Sequence, residues 1–150
     1  MEYLLDTNIV LTYARNTEVT KKLEAKLKLL SGDHRLIISI VSVGELKAFM
    51  KKNKWGNKKI SQLERLVDKF MVADINVEEI IERYAKIDAF SQGKLENRKS
   101  KFTARNMGKN DLWIAATASY LDVELITTDK DFEHLNGEYL IVNQIDLTKL

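Results

Sequence analysis

Residues 36–46 read LIISIVSVGEL. The nearly continuous, β-branched apolar run at 36–41 suits a parallel strand covered on both faces, because a half-exposed strand would alternate. Leu46, Phe49 and Met50 then recur at helical spacing. The strand therefore runs into a helix, with Glu45 at the junction. The same grammar appears three more times: YLLDTNIV (3–10) places Asp6 there, KNDLWIAA (109–116) places Asp111, and LITTDKDF (125–132) places Asp129.

Working outward, 3–5 is a short strand, and Ile9, Val10 and Tyr13 open a helix. Val19, Leu23, Leu27 and Leu30 continue the helical spacing until Ser31 and Gly32 act as a stop signal. Beyond Glu45, polar residues 53–57 divide a helical hairpin whose second arm carries Ile60, Leu63, Leu66, Val67 and Phe70. A short strand is expected at 71–75 and an amphipathic helix from Val77 to Phe90. From 91 to 109 periodicity disappears, and a polar, basic connection of that length is usually functional or mobile. Leu112, Ala115, Ala116 and Tyr120 restore a helix; 124–127 reads as a strand, 132–135 as a short helix and 139–142 as a last strand. Strands alternating with helices predict a three-layer α/β/α sandwich with a mainly parallel sheet and right-handed crossovers. No repeat, low-complexity segment or Pro/Gly-rich linker divides residues 1–150, so the expectation is a single domain.

A hydrophobic content of 45% over 150 residues supports a real core, and the absence of Cys excludes disulfides, thiol catalysis and thiolate zinc sites. No apolar run reaches the roughly 20 residues of a membrane span, and the N-terminus opens with acids where a signal peptide would be basic. The expectation is a soluble, cytoplasmic protein. A net charge of +2 is uninformative, but its distribution is not. Lys51, Lys52, Lys54, Lys58 and Lys59 surround Trp55, while Lys94, Arg98, Lys99, Lys101 and Arg105 crowd a stretch that holds Phe102. Cations around an exposed aromatic are what a single-stranded nucleic-acid surface needs, although such runs also serve simply as solvated faces.

Each acid has an ordinary structural explanation. Asp6 and Asp129 suit helix N-caps, Asp111 lies at a helix start, and Ser42-Val43-Gly44-Glu45 fits a capping box. Capping does not, however, require every junction to choose an acid. In an open parallel sheet the strands' carboxyl ends and the following helix N-termini face one crevice, so Asp6, Glu45, Asp111 and Asp129 are expected to converge. Crowded carboxylates raise one another's pKa unless a cation compensates. Oxygen ligands, no Cys and only two His favour Mg²⁺ or Mn²⁺ over zinc. Such an ion suits hydrolysis of a phosphodiester. Thr7, Asn8, Thr127 and Thr128 flank the acids as donors that would orient them, with simple first-turn hydrogen bonding the alternative for Thr7 and Asn8. Asp131 is a nearby fifth acid. His34 and His134 stand at none of the junctions and are taken as surface residues.

In their order and spacing, YLLDTNIV, SIVSVGELKAF and NDLWIAATASYLDVELITTDKDF resemble the PIN-domain ribonucleases over almost the whole chain, most closely the VapC-type toxins of toxin–antitoxin pairs. The resemblance implies a Mg²⁺- or Mn²⁺-dependent endoribonuclease in which Asp6, Glu45, Asp111 and Asp129 match the acidic quartet. It further implies a homodimer and a small antitoxin partner that inserts near the acidic groove. Many members carry Asn where Asp129 stands and an acid slightly later, which leaves Asp131 as an alternative fourth ligand. Lys94, Arg98, Lys99, Lys101, Phe102 and Arg105 are expected to grip RNA. Two other readings compete. A stand-alone RNA-binding or RNA-processing module would keep the fold without a toxin role. A Mg²⁺-dependent phosphate-signalling protein or phosphatase is disfavoured because Thr7 and Asn8 follow Asp6 without a second Asp.

Overall fold

The computed structural model describes residues 1–95 and 102–150. Five strands, β1 (Glu2–Leu5), β2 (Arg35–Ser39), β3 (Met71–Ala73), β4 (Glu124–Thr127) and β5 (Val142–Gln144), form one sheet in the order β3-β2-β1-β4-β5. Every pairing is parallel. Among the described residues six helices connect them: α1 (Thr7–Arg15), α2 (Glu18–Leu27), α3 (Ile40–Lys52), α4 (Asn57–Val67), α5 (Glu78–Ser91) and α6 (Lys109–Leu121). Short 3-10 turns occupy Lys130–Leu135 and Leu147–Lys149.

The strand alternation produces the three layers. Leu4, Ile37 and Leu125 point to one face, where α5 and α6 supply Ile80, Ile87, Phe90, Leu112 and Ile114. Leu5, Leu36, Ile38 and Ile126 point to the other, against Ile9, Val10, Leu23, Leu46 and Leu63 from the first four helices. Both faces of the central strands are therefore dry, and side-chain period two becomes two cores. No helix among the described residues is long and apolar enough to cross a membrane.

Several boundaries differ from the sequence expectation. The run at 36–41 is strand only as far as Ser39, whose hydroxyl caps α3 by accepting from the Val41 N–H at 3.1 Å. Ser42-Val43-Gly44-Glu45 is thus no capping box; Ser42 is fully buried inside α3 and Glu45 stands in its second turn. Helix α2 stops at Leu27, earlier than Leu30, because the Glu24 carboxylate accepts from the Leu30 and Ser31 N–H groups and bends the chain back. Gly32 answers a close approach, since a Cβ there would lie 2.5 Å from the Lys28 carbonyl oxygen. The last strand lies at Val142–Gln144 rather than 139–142. Leu140 packs into the core beside Leu135, and the polar pair Asn143 and Gln144 forms the edge.

The order β3-β2-β1-β4-β5 reverses direction between β1 and β4. That is the switch point at which the crevice of an open α/β sheet lies, and the residues immediately following these two strands include Asp6 and Asp129.

Candidate active site

Asp6 ends β1 and caps α1, and only 4% of it is exposed. Its Oδ1 accepts from the Thr7 N–H at 2.8 Å and its Oδ2 from the Thr127 hydroxyl at 2.7 Å. Thr127, fully buried at the end of β4, also accepts from the Asp129 N–H at 3.0 Å. One hydroxyl therefore locks the two acids of the switch point into a common frame. Asp129 in turn caps the following 3-10 turn, accepting from the Asp131 N–H at 2.9 Å.

A second hydroxyl ties in Glu45. Thr7 Oγ1 lies 2.7 Å from Glu45 Oε1 and 2.8 Å from Ser42 Oγ. Thr7 has a single hydroxyl proton and an ionised carboxylate can only accept. The proton therefore goes to Glu45, and Ser42 donates its own to Thr7. Ser42 is a site residue that the sequence reading assigned to a cap. The signal was present, because positions 42 and 45 share one helix face.

Asp111 lies in the first turn of α6. Oxygens of Asp111, Asp129 and Asp131 lie within 4.8 Å of one another, the first two half-buried and the third exposed. Burial first, and then the charges of Asp6, Asp129, Glu45 and Asp131, push the Asp111 carboxyl up to about 7. Asp6 is also raised, chiefly by burial, with Glu45 and Asp129 adding repulsion and the Thr127 and Thr7 hydrogen bonds opposing it. Acids from four separate stretches of sequence thus face a common space. The trio already close enough to share an ion contains both Asp129 and Asp131, while Asp6 and Glu45 border it. Oxygen-only donors at this spacing fit a hard divalent cation.

Of the flanking residues, Thr7 and Thr127 hold the acids directly. Thr128 is half-buried, and Asn8 is exposed, its carbonyl accepting from the Thr12 hydroxyl. Lys94 is exposed. Arg105 donates to the Lys130 carbonyl at 3.4 Å, which places a cation beside the turn that carries Asp129 and Asp131. Arg98, Lys99 and Lys101 lie outside the described residues. Phe102 is not the exposed aromatic expected: it is half-buried, 5.2 Å from the Phe90 ring and 4.9 Å from the His134 ring. Trp55 is likewise half-buried, edge-on to Phe49.

Neither histidine is a plain surface residue. His34 is half-buried with its ring 5.1 Å from Tyr3. His134 Nε2 lies 2.7 Å from the fully buried Ser91 hydroxyl, and burial, with Arg105 nearby, lowers its pKa to about 4. It is a neutral link between the end of α5 and the acid-bearing turn.

Residues 3–138 match the PIN domain model. The chain belongs to the PIN-domain family. Ribonuclease VapC1 of Haemophilus influenzae (strain R2866) is 33% identical over 140 residues, covering 90% of this chain and 92% of that protein. Among solved structures, VapBC-1 from nontypeable Haemophilus influenzae matches this PIN-domain chain with a TM-score of 0.70 at 27% identity, over 96% of this chain and 98% of that one. VapBC2 from Rickettsia felis, bound to a DNA fragment from its promoter, matches in fold with a TM-score of 0.76 at 22% identity, over 97% and 100%.

Proposed function

We propose that this PIN-domain chain is a Mg²⁺- or Mn²⁺-dependent endoribonuclease that hydrolyses RNA phosphodiester bonds as the toxin of a toxin–antitoxin pair. The observation that carries this reading is the Asp111–Asp129–Asp131 trio bordered by Asp6 and Glu45, in a chain 33% identical to a protein named Ribonuclease VapC1. Solved VapBC complexes of the same fold support a small antitoxin as partner. The family resemblance implies a homodimer in the cytoplasm, and that is the working form we propose.

Asp111, Asp129 and Asp131 would hold the cation, with Asp6 and Glu45 completing the rim. When bound there, the cation would supply positive charge against the carboxylates and the substrate phosphate and a water of lowered pKa. Thr127 keeps Asp6 and Asp129 in register, and Thr7 fixes Glu45 against the Asp6 segment. Such prepositioning spares reorganisation during the reaction. Arg105 and Lys94, with Arg98, Lys99 and Lys101 of the same basic stretch, balance the phosphates of the bound strand.

The test is RNA cleavage by the purified chain. Activity should require Mg²⁺ or Mn²⁺, stop in EDTA, and disappear in Asp6→Asn and Asp111→Asn variants that remain folded by circular dichroism. Cleavage that persists in either variant removes the mechanism.

A further inference from the structure

The lysines around Trp55 have no part in the acid cluster, yet one of them, Lys52, shares a side of α3 with Glu45. Val41, Glu45, Ala48 and Lys52 form a stripe at helical spacing. Along it runs a groove of about 490 Å³, lined from Val41 through Glu45 and Ala48 to Phe49 and Lys52, with Asn110, the neighbour of Asp111, also in its wall. From Glu45 to Lys52 the helix rises about 10 Å. We propose that this groove is the track for the single-stranded RNA segment adjoining the scissile phosphate, kept open by Gly44 and gripped at its far end by Lys52 and the Arg15–Phe49 pair. The inference rests on the ribonuclease reading and extends it to residues outside the acid cluster.

Gly44 is the first observation. Glycine inside a helix is locally unfavourable relative to alanine. It is usually retained for a positive φ or for a close approach. Gly44 has neither reason: it is an exposed helical residue outside the positive-φ positions, and a Cβ built there would meet nothing within 4 Å. It lines the groove, and what its missing side chain preserves is the groove itself.

The second observation is the chemistry of the far end. The Arg15 guanidinium lies 5.6 Å over the Phe49 ring, Trp55 meets Phe49 edge-on at 5.7 Å, and Lys59 lies 5.5 Å over Trp55. Of these aromatics only Phe49 lines the groove, so Lys52 and the Arg15–Phe49 pair set two cations and one ring at its end, which suits a single strand whatever its sequence. An amphipathic peptide helix would choose aliphatic surface instead. That surface lies on another side of α3, where Val43, Met50 and Val67 line a separate groove of about 320 Å³.

The experiment measures binding of a short fluorescein-labelled single-stranded RNA in EDTA by anisotropy across a salt series, together with KM and kcat for RNA cleavage in Mn²⁺. Gly44→Leu fills the groove with a good helix former, so its melting temperature should equal or exceed that of the unaltered protein. Its Kd and KM should nevertheless rise about tenfold or more, with kcat within about twofold. Gly44→Ala should fall between the two. Lys52→Ala should reduce the slope of log affinity against log salt by about 0.7, the loss of one phosphate contact. Unchanged Kd, KM and salt slope in Gly44→Leu and Lys52→Ala overturn the proposal and leave the groove to a protein partner. An unaltered chain that cleaves no RNA defeats the ribonuclease reading instead, so the two failures are distinguishable.

Discussion

Cation binding at the acid cluster should depend on pH more steeply than an ordinary carboxylate site allows. Free aspartates are ionised well below neutrality and would give constant affinity from pH 6 to 8. Here Asp111 is held at about 7 by burial and by four neighbouring carboxylates. At pH 6 roughly one-tenth of such a group is ionised and at pH 8 roughly nine-tenths, so the apparent Mn²⁺ or Mg²⁺ affinity should rise about tenfold over that interval. Binding should also release about 0.9 proton at pH 6 and about 0.1 at pH 8. Isothermal titration calorimetry in two buffers of different ionisation enthalpy reads both quantities. His134 does not blur the result, because with its pKa near 4 it is already neutral throughout the range. Asp111→Asn should abolish the pH dependence along with most of the affinity. An affinity that is flat between pH 6 and 8 in the unaltered chain, with no proton release at pH 6, would refute the electrostatic account of the cluster.

Without metal, the raised Asp111 and Asp6 carboxyls make the folded state bind more protons than the unfolded chain. For Asp111 the stabilising contribution is complete below about pH 4 and lost as pH rises through about 7, with Asp6 acting in the same direction, so the urea midpoint of EDTA-treated protein should fall over that window. Asp111→Asn should therefore be more stable than the unaltered chain at pH 8 in EDTA, with the gap closing toward pH 4, although it is inactive. Thr127→Val keeps the shape but strands an Asp6 oxygen and the Asp129 N–H; a hydrogen bond to a charged group is worth about 1.5–3 kcal/mol, which urea unfolding at pH 8 should register, with weakened Mn²⁺ binding beside it. Ser39→Ala removes the cap of the helix that carries Glu45 and should cost about 0.5–2 kcal/mol by the same measurement.

The parallel sheet was legible because both faces of its central strands are buried. Residues 3–5 are apolar throughout and 124–127 centre on the apolar pair Leu125 and Ile126, and their ends fall within a residue of the observed strands. Parallel connection then sends every strand's carboxyl end to one edge, which is why acids more than a hundred positions apart could be expected to meet. Features set by a single tertiary hydrogen bond were not legible. Nothing local to Leu27 announces that Glu24 will capture Leu30 and Ser31, and three helices close on Asn16, Lys28 and Asp122 in the left-handed conformation without a glycine to mark the place. Phe102 looked exposed because its neighbours in sequence are cations, whereas its neighbours in space are Phe90 and His134. The edge strand β5 was misplaced because Asn143 and Gln144 form ladder pairs while pointing no apolar stripe at the core.

The hydroxyls at the site answer a problem the fold itself creates. A switch point gathers strand ends, and here each brings an acid, so folding without a cation concentrates negative charge in a half-buried crevice. Thr127 and Thr7 do not neutralise that charge; they help fix its position, the Thr127 hydroxyl joining the Asp6 carboxylate to the Asp129 backbone N–H and the Thr7 hydroxyl holding Glu45 beside the Asp6 segment. Fixed repulsion is what gives the cation its leverage. If the carboxylates could swing apart, repulsion would be relieved by motion, only the part of the Asp111 shift that comes from burial would remain, and metal would gain less by binding. Held in place, the repulsion is released only by a proton or by a cation, and the two compete. Loosening the hydroxyl clamp through Thr127→Val should therefore weaken Mn²⁺ binding and also flatten its pH dependence. A charge-conserving variant that weakens affinity without flattening the profile would mean that the threonines act on the metal by some route other than the shared electrostatic strain.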